Sequence, residues 1–65
     1  MKTVKLTTVP NETIAAMVQG VLISCGIDSY VKNMMAGLMQ SDIFVFEDEY
    51  QTAKEILAES FPEYA

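Results

Sequence analysis

Residues 14–31 read IAAMVQGVLISCGIDSYV, and this stretch decides the fold. Apolar side chains recur at Ile14, Met17, Val18, Val21, Leu22 and Cys25, the i, i+3, i+4, i+7, i+8 and i+11 positions of a helix. On a helical wheel they fall within about 140°, a broad stripe suited to packing on a core. Gly26 supplies the left-handed conformation that a helix stop needs. Ile27 is then placed to touch Leu22 and close a Schellman-type cap. A strand follows at once over residues 28–32, Asp-Ser-Tyr-Val-Lys. On the opposite side of the helix lie Glu12, Ala16, Gln19 and Gly20. Ile23 lies there too, an apolar residue where a solvated face wants a polar one.

Upstream, Thr3 to Thr7 alternates with period two, Val4 and Leu6 to one side, Thr3, Lys5 and Thr7 to the other. That pattern predicts a half-buried strand over 3–7, broken by Thr8-Val9-Pro10-Asn11. Pro10 suits the first turn of a helix, and Asn11 and Thr8 both qualify as its cap. Downstream, Ile43-Phe44-Val45-Phe46 is apolar on both faces, as a central strand is. Glu47-Asp48-Glu49 opens a last helix. Asp48 and Gln51 have the spacing of a capping box, and the acids suit the positive end of the helix dipole. Ala53, Ile56, Leu57 and Phe61, with Tyr50, make its inward stripe. Pro62 ends it, and 62–65 reads as a short frayed tail.

Residues 33–41 are the odd segment. Met34, Met35, Leu38 and Met39 stand where a polar hairpin loop is the plain expectation. Methionine is adaptable filler, so the segment has three candidate uses: cover for the core edge, contact between protomers, or the wall of an apolar ligand pocket.

The element order is strand, helix, strand, strand, helix. The economical arrangement is a split βαβ unit with a right-handed crossover, an α+β fold in which strand 3 lies between strands 1 and 2. This is a truncated ferredoxin-like sandwich, a three-stranded antiparallel sheet with two helices on one face, spanning 1–65 as a single domain. Strand 1 becomes an open edge. Phe44 and Phe46, with Tyr30 beside them, sit on the face the helices leave bare.

A chain of 65 residues buries only roughly 60% of its unfolded surface, so its stability is marginal without a staple. One cysteine cannot form an internal disulfide, and without histidine a structural zinc has no ligand set. At 51% apolar the composition points to a surface buried by self-association. Nine acids against four lysines give a net charge of −5. Lys2, Lys5, Lys32 and Lys54 are scattered, which speaks against nucleic acid and anionic membranes as partners. No apolar run approaches the roughly 20 residues that span a bilayer. The N-terminus lacks a signal-peptide apolar core, so the expected location is cytoplasmic.

Candidate chemistry is thin. Cys25 falls on the core stripe at a helix C-terminus, where the dipole does not activate a thiol, and is read as packing. Glu47, Asp48 and Glu49 do not converge on a point, and are read as helix capping and dipole pairing rather than metal ligands.

Leu6-Thr7, the helix ending Val21-Leu22-Ile23-Ser24-Cys25-Gly26-Ile27, the strand Tyr30-Val31-Lys32-Asn33, the run from Val45 to Ala53 with its acids, and Ile56-Leu57 together carry a resemblance. The chain resembles a family of small bacterial domains of unknown function described as signal-transducing proteins. That resemblance covers nearly the whole length. It implies a ferredoxin-like fold similar to that of the PII signal proteins, and carries no established activity with it. The chain departs from the family at Phe46, where members often have proline, and in its methionine-rich rather than glycine-rich loop.

The expected function is therefore a non-enzymatic regulatory or binding module without a cofactor, acting as a homodimer through its sheet face or the strand 1 edge. A small-molecule or protein partner is expected on the same ground. The alternative is an accessory subunit or adaptor in a larger complex. The candidate surface comprises Ile23, Tyr30, Met34, Met35, Leu38, Met39, Phe44 and Phe46.

Overall fold

The computed structural model describes residues 2–33 and 40–65. The chain runs β1 (Thr3–Val9), α1 (Glu12–Ser24), β2 (Ser29–Asn33), β3 (Ser41–Phe46), a 3-10 turn (Glu47–Glu49), α2 (Tyr50–Ser60) and a second 3-10 turn (Pro62–Tyr64). The strands form one antiparallel sheet in the order β1-β3-β2. Both helices pack on the same side of it. Ala15, Val18 and Leu22 of α1 and Ala53 and Leu57 of α2 share one core with Leu6, Val9, Ile27, Ile43 and Val45. The architecture is the truncated ferredoxin-like α+β sandwich that the element order implies.

The stop after α1 forms as the sequence indicates. Gly26 has φ +84°, its N–H donates to the Ile23 carbonyl at 2.9 Å, and the Ile27 N–H donates to the Leu22 carbonyl at 2.9 Å. Those two bonds are the Schellman pair, and the buried Leu22 and Ile27 supply its apolar contact. At the other end Asn11 is the cap, its side-chain oxygen accepting from the Ile14 N–H at 2.9 Å. Gln19 Nε2 donates to the Ser29 carbonyl at 2.8 Å and ties α1 to β2.

Four local expectations are corrected. β1 does not end at Thr7 but runs to Val9, because the register slips by one residue between Lys5 and Thr7. This bulge at Leu6 reverses the alternation. Thr7 pairs with the fully buried Ile43 on the helix side, and Val9, only 1% exposed, also faces the core.

The inward stripe of α1 centres on Ala15, Val18 and Leu22, which turns Met17 out to 55% exposure and leaves Cys25 exposed at the C-cap. Cys25 is therefore not a packing residue. Ala15, small enough for close approach to the sheet, takes the place that the wider stripe assigned to larger side chains.

The acids do not form a capping box. The Glu47 N–H donates to the Lys2 carbonyl at 2.9 Å, prolonging the β1–β3 ladder, and a 3-10 turn intervenes before α2 starts at Tyr50 with no side-chain cap bond. Lastly, the tail is not frayed. It winds into the turn Pro62–Tyr64, and Thr7 Oγ1 donates to the Tyr64 carbonyl at 2.6 Å.

A candidate binding surface on the open sheet face

In β3, Ser41, Ile43 and Val45 are at most 1% exposed beneath the helices, so Asp42, Phe44 and Phe46 necessarily point the other way. The register of the neighbouring strands sets what stands beside them. Lys5, Phe44 and Tyr30 form one row across the sheet, and Thr8, Asp42 and Lys32 form the next. Thr3 sits beside Phe46. Residues directly opposite in antiparallel strands share a face, so these side chains make up one surface.

Diagonal contacts knit it together. The Tyr30 and Phe46 rings meet edge to face, centroids 5.6 Å apart at 79°. Such a pair is worth about 0.5–1.5 kcal/mol beyond its buried area. Lys32 Nζ stands 5.6 Å from the Phe44 ring centroid, a cation–π contact worth about 0.5–1 kcal/mol at an exposed site. Thr8 Oγ1 donates to Asp42 Oδ1 at 2.6 Å, which engages the one carboxylate carried by a strand. Tyr30 remains 48% exposed, and Phe44 and Phe46 are half-buried. Thr3, Tyr30, Val31, Lys32, Phe44 and Phe46 line an open trough of about 420 Å³.

On this face two lysines outnumber one carboxylate, the buried Asp42 at 8% exposure, so its charge has the sign opposite to that of the chain. Lys5 and Lys32 lie on it, and among the described residues neither has a carboxylate within ion-pair distance. All other acids lie off the strands: Glu12, the run Glu47 to Glu49, Glu55, Glu59 and Glu63 on helices or 3-10 turns, and Asp28 in the connection between α1 and β2. The pair Lys2–Glu47, 3.9 Å apart with both side chains well exposed, adds little stability.

Of the residues singled out from sequence, the fold brings Tyr30, Phe44 and Phe46 together. Ile23 is exposed at 57% but belongs to the outer face of α1, beyond the helix layer. Met34, Met35, Leu38 and Met39 lie outside the described residues. Sequence reasoning missed Lys5, Lys32, Thr8 and Asp42, whose membership depends on cross-strand register. Once β3 is taken as the central strand, the period-two parity of Tyr30 and Lys32 is the signal that could have found Lys32.

Among the described residues no group of three or more His, Cys, Asp or Glu is placed to hold a metal ion, and no helix is long and apolar enough to cross a membrane. No protein-family model, curated protein or solved structure matches the chain.

Proposed function

We propose that this chain is a small non-enzymatic binding module of the cytoplasm, regulatory in role, whose working surface is the open face of the sheet. One observation carries the reading. The central strand, which has the most apolar sequence in the sheet, is covered on one side and presents Phe44 and Phe46, with Tyr30, on the other. A contiguous aromatic patch of this kind is a mark of an interaction site rather than of ordinary surface. Resemblance to the small signal-transducing domains agrees with it.

The module works as a homodimer, and its copies meet on the outer face of α1. Two chains of charge −5 repel, and α1 is the less charged of the two helices, since α2 carries Lys54, Glu55 and Glu59. Glu12 is the sole charged residue of α1. Beyond it the exposed side carries Met17 and Ile23 on either side of Ala16 and Gly20. A two-fold contact across that side sets each patch against its own copy. The edge of β1 suits pairing less well, since a bulge and Lys5 both discourage strand addition.

Binding of anilinonaphthalene sulfonate tests the reading. The native folded protein should enhance its fluorescence, and a Phe44→Thr/Phe46→Thr variant with unchanged circular dichroism should not. Absence of enhancement by the native protein, or equal enhancement by the variant, refutes the binding-surface reading.

A further inference from the structure

The partner that fits this face is legible in its charges. Lys5 on β1 lies level with Phe44, and the Lys32 ammonium leans from β2 to the same Phe44 ring. The central strand thus carries an aromatic ridge, Phe44 to Phe46, with one lysine on each side at the Phe44 level. Neighbouring strands are about 4.8 Å apart, so the flanking strands stand about 10 Å from each other. That is the width of an α-helix with its side chains, about 10–12 Å. An apolar sheet face is stable only when it is buried against another element, and a helix is the element that matches this width.

We infer that the open sheet face docks an amphipathic helix of a partner protein, one whose apolar stripe is bordered on both sides by Asp or Glu. The apolar stripe lies along Phe44 and Phe46 with Tyr30 at its side, and the acidic borders meet Lys5 and Lys32. This inference rests on the reading of the face as a binding surface.

A second copy of the chain does not meet the description. Its own open face presents the same two lysines, and like charges across a contact oppose it. Its α2 spends its apolar stripe, Ala53 and Leu57 with Ile56, on its own core. Its α1 carries Glu12 at one end and no acid along the flanks. Single-stranded nucleic acid has the right sign and stacking surfaces, but a phosphate chain draws its affinity from many cations. Here it would find only the two lysines beside Phe44.

The test uses three fluorescent probes with the full chain: a synthetic helix with a leucine stripe bordered by Glu, its twin bordered by Lys, and a single-stranded oligonucleotide. Anisotropy should show the Glu-bordered helix binding about tenfold tighter than its twin, a ratio in line with two partly exposed ion pairs. The preference should vanish in Lys5→Gln/Lys32→Gln and invert in Lys5→Glu/Lys32→Glu. Equal affinity for both helices, or tighter binding of the oligonucleotide than of either, overturns the inference. So does a native dimer that dissociates on Phe44→Thr substitution, because a second copy would then occupy the face. If dye enhancement persists while helix preference is absent, the inference alone has failed; if the native protein does not bind the dye, the binding surface itself has failed.

Discussion

Thr7 Oγ1 donates to the carbonyl of Tyr64 at 2.6 Å, joining residues 57 positions apart in the chain. The contact exists because the bulge in β1 turns Thr7 to the helix side, where Pro62–Tyr64 winds back against the strand. A single net hydrogen bond is worth about 0.5–1.5 kcal/mol. Thr7→Val keeps the shape and the strand preference while deleting the donor. It should lower Tm by several degrees in thermal denaturation, since about 1 kcal/mol corresponds to roughly 4–8 °C in a domain this small. An unchanged Tm would mean that the tail is not held by this bond.

Gly26 gives a second stability prediction. A Cβ added there meets no atom within 4 Å, so the cost of Gly26→Ala is conformational and not steric. With φ at +84° the substitution should destabilise by about 1–2 kcal/mol, read from the urea midpoint at unchanged m-value. Gly20→Ala is the control. It sits mid-helix with no atom of its own chain within 4 Å of an added Cβ, and in the monomeric Ile23→Glu background it should stabilise by about 0.5–1 kcal/mol.

Ser29 is a flaw that can be repaired. Its hydroxyl oxygen is buried on β2 without a hydrogen-bond partner among the described residues, and the residue is 6% exposed. Its carbonyl, by contrast, is held by Gln19. Ser29→Ala removes the stranded polar group and leaves the backbone contact in place. It should raise stability by about 1 kcal/mol, within the range an unsatisfied buried group costs. A loss of stability would show that the hydroxyl has a partner in solution.

Self-association through α1 predicts that Ile23→Glu yields a monomer by sedimentation at micromolar concentration. Ile23 is 57% exposed, so the substitution should leave Tm of the monomer nearly unchanged. Phe44→Thr, on the opposite side of the molecule, should leave the dimer intact. A native protein that is monomeric throughout contradicts this part of the account.

How much of this was open to reading depends on how local the signal was. Gly26 and Ile27 announce a helix stop because the two hydrogen bonds and the apolar contact lie within six consecutive residues. The apolar run from Ile43 to Phe46 announces a central strand for an equally local reason, and the strand order follows from it. The bulge at Leu6 left no such mark. Val4 and Leu6 alternate cleanly, and only the demand that Val9 also be buried forces the slip. Met17 and Cys25 fit a helical stripe by spacing, but which part of a broad stripe touches the sheet is set by the helix's seat on β2 and β3. Lys5 and Lys32 look scattered in the sequence because they are 27 positions apart. Antiparallel register puts them on either side of one phenylalanine, and so the charge of the candidate site differs in sign from the charge of the chain.

The account stands on the open sheet face being the surface that binds, and amide chemical-shift mapping during a titration with anilinonaphthalene sulfonate tests that most directly. The predicted result is a set of shifts centred on Lys5, Tyr30, Lys32, Phe44 and Phe46, with the outer residues of α2, Glu55 and Glu59, unmoved. Shifts centred on the helices, or spread evenly over the chain, would contradict it.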